Sequence, residues 1–469
     1  MKTKIILKMA FTLLLLLGLL GLAACTGDDE PTNEILQTED LTMETTENVG
    51  ITDNSEDNGE ELPQEPTTTA EEPTNNQAAE QPIIVNITNL EEELLARQQI
   101  WESLAATERE NADRIAEMEN RSIPFGEVNM RFEYFVIGEE PADGFPLYIA
   151  MHGGGGAPAA VNDQQWQHMQ IYYRNSVNVG IYVAVRGVRD TWDTHFNPES
   201  FPMYDRLIEN MVLLRNVNPN RVYLMGFSAG GDGVYGITPR MADRFAAVSM
   251  SAGHHNWINP INFKHTPIIL QCGDSDTAFS RHTATVDFAE QLRDLGYTFQ
   301  LNIHVNQGHN FLDTTMIPQQ VWEDPFAWRD GESSEIVFVQ ANPVYFMDQF
   351  TRTPLPTALA WHTGTRADMR AVESFYWLRL PHGESDATIW ASYDTAANTI
   401  TITTEGDLHA PLEILLNRQM VDFDQPVILV VNGETSEHTV ESSMEVLRET
   451  TAERLDFNFQ FTAIIEVEI

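Results

Sequence analysis

Apolar positions fall into short continuous runs through the middle of the chain. The runs are Pro146–Met151, Ile181–Val185, Arg221–Met225, Ala246–Met250 and Pro267–Cys272, and a further strand-like stretch, Thr298–Val305, alternates instead. Runs of this length without polar alternation are expected of strands buried on both faces. Helical patterns separate several of them, at Arg206–Arg215 and Val286–Leu295. Strands alternating with helices predict an α/β fold with a doubly wound, mostly parallel sheet over about residues 123–313.

The flanks are patterned differently. Residues 83–122 hold a predicted helix from Asn89 to about Glu119, opened by an Asn89/Glu92 capping pair. An imperfect apolar stripe of Leu90, Leu94, Trp101, Leu104, Ile115 and Met118 marks its packing face. Residues 314–369 form a Pro- and aromatic-rich connector. Its Trp322, Phe326, Trp328, Tyr345 and Phe346 either line a groove or cover the core. Over residues 370–469 the period becomes two. The segments Ala387–Tyr393, Thr399–Thr403, Pro426–Val431, Thr435–Val440 and Phe457–Ile469 are expected strands, and Asn432-Gly433 is a hairpin turn. These predict a small C-terminal antiparallel β domain. The concentrated Phe375-Tyr376-Trp377-Leu378 run seals it to the preceding domain.

The first 82 residues look unlike the rest. Lys2, Lys4 and Lys8 precede an apolar run, Met9 to Ala24, which reads as a secretory signal. Leu22-Ala23-Ala24-Cys25 resembles a bacterial lipobox, which implies lipidation of Cys25. That resemblance places the protein on the outer face of a bacterial membrane, on the extracellular or periplasmic side. From Thr26 to Pro82 there are 17 acidic residues and no Lys or Arg, the composition of an extended, self-repelling tether. The whole chain carries −43; setting aside those acids and the three leader lysines leaves −29 for residues 83–469. Such a charge disfavours nucleic acid and anionic lipid as partners. Membrane contact is expected through the lipid anchor alone.

The chemistry centres on Gly226-Phe227-Ser228-Ala229-Gly230, directly after the run ending at Met225. A G-x-S-x-G between strand and helix holds its serine on a sharp turn with Oγ exposed, and the glycines let the two segments pass closely. Upstream, Pro146–Met151 ends in His152-Gly153-Gly154-Gly155-Gly156, a loop whose backbone N–H groups can face a carbonyl oxygen. The lysine and Ser/Thr of a phosphate-binding loop are missing from it. Downstream, Gly273-Asp274-Ser275-Asp276 follows one strand and Gly308-His309 the next. An acid and then a histidine in that order suit a nucleophile–acid–base set. Asp276, further into its loop, is chosen over Asp274, which suits a local turn. His304 is read as a strand-face residue, Asp232 as structural, and Cys272 as a small buried hydrophobe. His254-His255 have no further ligand-spaced partners, so neither metal nor cofactor is expected.

The stretch from about Gly144 to Asn310 resembles α/β-hydrolases of the esterase and poly(3-hydroxyalkanoate) depolymerase-like group, related to prolyl oligopeptidase-type hydrolases. The glycine loop, Val217–Gly231, Gly273–Asp276 and Gly308-His309 carry the likeness. It implies Ser228 as nucleophile, Asp276 as acid and His309 as base, with Gly153, Gly154 and the Ala229 N–H forming the oxyanion hole. An ester-bearing small molecule or polymer is the substrate class implied. A serine peptidase and an inactive surface binding protein are the alternatives.

Overall fold

A computed structural model describes residues 86–256, 258–314, 319–364, 373–381, 386–408 and 410–469. The signal segment, Cys25 and the acidic tether lie outside the described residues. Residues 83–469 form one compact unit.

Its centre is a ten-stranded sheet built from β1 (Ser122–Phe125), β2 (Val128–Ile137), β3 (Phe145–Met151), β4 (Gly180–Val185), β5 (Val217–Phe227), β6 (Ala247–Ser251), β7 (Ile268–Gly273), β8 (Phe299–His304), β9 (Gln319–Trp322) and β10 (Ile336–Val339). The spatial order is β1-β2-β4-β3-β5-β6-β7-β8-β9-β10. Strands β3 to β8 run parallel, while β1, β2, β9 and β10 pair antiparallel at the two edges. Every residue of β3, β4, β6 and β7 is buried, which explains their unbroken apolar runs.

Six helices of nine or more residues precede the C-terminal β region among the described residues. They are α1 (Leu90–Arg109), α2 (Ala112–Asn120), α3 (Ala159–Tyr172), α4 (Ser200–Arg215), α5 (Ala229–Met241) and α6 (Arg281–Asp294). The single N-terminal helix expected from the sequence is therefore two, broken at Glu110-Asn111, where Asn111 caps α2. Asn89 caps α1 through the Glu92 N–H, while the Glu92 carboxylate turns to Thr88.

The packing face of α1 also differs from the apolar stripe. Leu90 and Leu94 are exposed, and Glu93, Ala96, Arg97 and Ala105 are buried. The Glu93 carboxylate accepts the Arg418 N–H at 3.1 Å and the Thr462 hydroxyl at 2.6 Å. Burial pushes that carboxyl up in pKa despite those donors. At the other end, Arg109 donates to Leu213 O, and Arg114 of α2 donates to Asn210 and Glu209 of α4. The two helices thus tie the C-terminal β region to the flank of the central sheet.

The segment expected as a connector contributes to both neighbours. It supplies β9 and β10, and its strand Ala358–His362 pairs with Asp386–Asp394. Trp322, Phe326 and Trp328 pack on a cluster of Cys272, Val286 and Ile303, and Phe346 is buried, so these side chains cover core.

The C-terminal strands form a five-stranded and a four-stranded sheet, antiparallel except that Thr399–Asp407 runs parallel to Val427–Val431. Asn432 and Gly433 both take positive φ (49° and 89°), the geometry of a two-residue hairpin turn. Of the strand expected at Phe457–Ile469, only Ala463–Val467 pairs. A helix, Met444–Arg454, capped by Ser443, precedes it.

Phe375, Tyr376, Trp377 and Leu378 are all at most 2% exposed. The junction between the two regions also carries buried ions. Arg352 meets Asp456 at 2.7 Å, Arg454 meets Asp243 at 2.8 Å, and Arg244 spans Asp205 at 2.7 Å and Asp456 at 3.8 Å. Burial alone would raise the Asp456 pKa, but Arg352 and Arg244 hold it below the usual carboxylate range.

Candidate active site

The turn from β5 to α5 carries Ser228 at φ 57° and ψ −120°, a conformation that a non-glycine residue holds only where surrounding structure enforces it. The enforcement is visible. A Cβ on Gly226 would lie 2.1 Å from Gly230 O, and one on Gly230 would lie 2.1 Å from Met151 O. No side chain fits at either place, so strand and helix meet at backbone contact. The Ser228 N–H donates to Ser251 O of β6 at 2.9 Å, locking the turn onto the neighbouring strand.

His309 follows β8 and reaches across to this turn. Its Nε2 lies 2.9 Å from Ser228 Oγ and its Nδ1 lies 2.8 Å from Asp276 Oδ2. Asp276 is buried, whereas the His309 side chain is 29% exposed. The three sequence candidates are therefore joined in one relay, open to solvent at the serine end. Asp274 is turned away from it. Its Oδ2 accepts the Asn306 N–H at 2.9 Å and its Oδ1 the Ser275 hydroxyl at 3.0 Å.

The glycine loop lies beside the nucleophile. A Cβ on Gly153 would sit 3.3 Å from Ser228 Cβ. Among the described residues, the N–H groups of Gly153, Gly154 and Ala229 donate no hydrogen bond. Two buried side chains shape this loop. His152 places Nδ1 2.6 Å from Gly153 O, and its Nε2 accepts the Gly187 N–H at 3.0 Å. Burial pushes its pKa down to about 4, which keeps the ring neutral, and the Gly187 N–H at Nε2 places the ring proton on Nδ1. Asn162 accepts from Gly155 N–H at 2.9 Å and donates to Gly155 O at 2.8 Å. Nothing in the local sequence marks Asn162, seven residues further on in α3.

The remaining candidates are structural. Asp232 Oδ1 accepts the His254 N–H at 2.6 Å, and burial pushes its pKa up to about 6. His254 and His255 stack, and His255 stacks in turn on Phe288. His304 is buried against Phe311 with Nε2 3.1 Å from Gln271 Oε1. The Cys272 thiol is buried, and burial raises its pKa. Among the described residues, no group of three or more His, Cys, Asp or Glu could hold a metal ion.

One buried carboxylate went unread in the sequence. Asp313, fully buried, accepts hydrogen bonds from Tyr172 at 2.9 Å, Tyr173 at 3.0 Å and the Ser251 hydroxyl. It lies four positions after His309, directly after Phe311-Leu312.

The sheet order and the strand–serine–helix turn define the α/β-hydrolase fold, as the sequence resemblance implied. Residues 170–330 match the dienelactone hydrolase family, a span running from the end of α3 to the α-helical turn after β9. That span includes Ser228, Asp276 and His309 and leaves out the glycine loop and the C-terminal β region. No curated protein matches the chain. Solved structures similar to it include a thermostable esterase (16% identity, TM-score 0.36, covering 49% of this chain and 62% of that one). Thermogutta terrifontis esterase 2 is similar at 14% identity and TM-score 0.31, over 40% of this chain and 82% of that one. Pyrococcus horikoshii acylaminoacyl peptidase is similar at 14% identity and TM-score 0.31, over 40% of this chain and 37% of that one. The chain thus spans less than two thirds of the thermostable esterase and of the peptidase.

Proposed function

We propose that the protein is a serine hydrolase of carboxylic esters, held by a lipidated Cys25 on the outer face of a bacterial membrane. The observation that carries the catalytic reading is the unbroken relay Ser228 Oγ–His309–Asp276, with contacts of 2.9 and 2.8 Å. Asp276 holds the Nδ1–H tautomer, which leaves Nε2 free to take the Ser228 proton as Oγ attacks the ester carbonyl. The Gly153, Gly154 and Ala229 N–H groups are the candidates to receive the developing oxyanion, and the α5 N-terminus adds a favourable dipole. His309 then returns the proton to the leaving alcohol, and water hydrolyses the acyl-serine by the same steps in reverse order. The strained backbone at Ser228 favours this reading over an inactive binding protein, for which such strain serves nothing.

A fluorophosphonate probe is expected to label the wild-type protein and to leave Ser228→Ala unlabelled. A wild-type protein that neither labels nor hydrolyses p-nitrophenyl butyrate would sink the proposal. Faster turnover of a peptidyl p-nitroanilide than of matched esters would move it to the peptidases.

Asp276→Asn is expected to lower kcat by about 10⁴-fold, because an amide stabilises the wrong imidazole tautomer. Asp274→Asn loses only turn hydrogen bonds worth ~1 kcal/mol each, so its kcat should change by less than about tenfold. Steady-state kinetics on both variants checks this, and the reverse ranking would give Asp274 the role.

For the anchor, Cys25→Ser expressed in a bacterium is expected to move from the detergent to the aqueous phase with kcat unchanged. The multiply acylated terminus implied by the lipobox holds firmly where one chain would not. Equal aqueous partitioning of the two proteins would indicate a cleaved, secreted form.

A further inference from the structure

Asp313 is an expensive way to fill its position. A fully buried carboxylate loses its hydration, and among the described residues no Arg, Lys or His stands within ion-pair distance to compensate. Its side-chain donors are three hydroxyls, from Tyr172, Tyr173 and Ser251, beside its own backbone N–H. Burial accordingly raises its pKa, against the lowering effect of those hydroxyls.

The position of these three donors is informative. Tyr172 and Tyr173 close the C-terminal end of α3, the helix whose Asn162 brackets the glycine loop. Ser251 ends β6, and its carbonyl oxygen accepts the Ser228 N–H at 2.9 Å. Ser251 is thus bonded through its backbone to the nucleophile and through its side chain to Asp313.

The loop carrying His309 is anchored at two ends. At its start, Asn306 N–H donates to Asp274 at 2.9 Å and Ser275 N–H donates to Gln307 O at 2.8 Å. At its far end are Asp313 and then Thr314, whose carbonyl accepts from Ser176 Oγ and Asn342 Nδ2 at 3.0 Å each. Between the anchors, Phe311 packs on Phe227 with ring centroids 5.3 Å apart, and Phe227 stands edge-on to both His309 and Tyr172.

We infer that Asp313 is a positioning residue that sets the distance between His309 and Ser228 by tying the base loop to α3 and to the strand that holds the nucleophile turn. The inference rests on the serine-hydrolase reading above. A carboxylate only accepts hydrogen bonds, so it forces all three hydroxyls to donate and fixes their rotors. An asparagine in its place presents two donors of its own and leaves those rotors free to turn. The same residue that costs stability as a buried charge therefore gives the loop one arrangement.

The decisive comparison is Asp313→Asn with the wild type. Its kcat on p-nitrophenyl butyrate is expected to fall about 10- to 100-fold, the usual consequence of a catalytic group displaced by a fraction of an ångström to one ångström. KM should stay within about twofold and Tm should not fall, since the buried charge is removed. Ser251→Ala and Tyr173→Phe, which keep the carboxylate but each remove one donor, should show a smaller fall in kcat at unchanged KM, measured well below a Tm that the lost donor lowers. They serve also if Asp313→Asn does not fold. A readout independent of turnover is the downfield Nδ1–H proton resonance of His309, expected in the wild type and broadened away in Asp313→Asn. In Asp313→Asn a kcat within twofold of wild type, or a kcat loss that follows a falling Tm, would overturn the assignment, as would an unchanged His309 resonance. Loss of the esterase reading alone would show as a wild-type protein with that resonance and no turnover or labelling.

Discussion

Ser228→Ala is expected to lower kcat for ester hydrolysis by a factor on the order of 10⁴–10⁶ and to leave a folded protein. Removing Oγ leaves His309 and Asp276 paired but with no nucleophile to activate, so acylation has no route through the relay. What turnover survives comes from water placed near the glycine loop, which is why the loss is large but finite. The effect on stability should be small and of either sign. Alanine accepts the φ of 57° at Ser228 no more easily than serine does, and the two backbone bonds there, from Ser228 N–H to Ser251 O and from Asp232 N–H to Ser228 O, are unchanged. The measurement is kcat beside a thermal melt. A variant that retains more than about one per cent of wild-type kcat would place the nucleophile elsewhere.

The second large effect is expected far from that site, at the junction with the C-terminal β region. Asp456→Ala leaves Arg352 and Arg244 facing each other with no shared carboxylate, in a place where Arg352 and Asp456 are 1% and 2% exposed. Breaking one partner out of such a group typically costs about 3–5 kcal/mol, because the desolvation of the remaining charges is no longer offset. Chemical denaturation should register that loss directly. The Asp456 carboxyl is held below its ordinary pKa, so its contribution is present above about pH 4 and is lost as pH falls through the lower, folded value. The wild type should therefore lose more stability on acidification than the variant does. A variant within about 1 kcal/mol of wild type would mean that solvent reaches the group in solution. Removal of the whole β region should be worse, since it exposes Leu359 and Trp361, which pack in the same apolar cluster, and leaves Arg352 without its carboxylate.

Much of this arrangement is legible along the chain, and the reason is local. Strands β3, β4, β6 and β7 are buried on both faces, so each leaves a continuous apolar run. The nucleophile turn needs glycine at 226 and 230 because backbone atoms occupy the space of a side chain, and such a requirement shows in the residue type itself. The α1 face is illegible for the opposite reason. Glu93 and Arg97 look like solvent-facing residues, and only Arg418, Gln419, Gln460 and Thr462, more than 300 positions away, make them buried ones. Asp313 is hidden in the same way, since its donors lie some 60 to 140 positions upstream. The helix Met444–Arg454 was missed because its buried residues are Leu447, Thr450 and Thr451, a face too polar to stand out.

The contact between Glu93 and Thr462 spans 369 positions, nearly the full length of the described chain. It fixes an order of events during synthesis. Helix α1 is among the first parts of the folded region to be made, yet the groups that satisfy its buried carboxylate are among the last. Contacts between distant positions are closed late and slowly in folding. No shortened product that ends before the final strand can satisfy Glu93, and an emerging chain must carry that end of its first helix undocked until almost every residue has followed it. Dependence on chaperones should therefore be greatest for the nascent chain and for every truncated form.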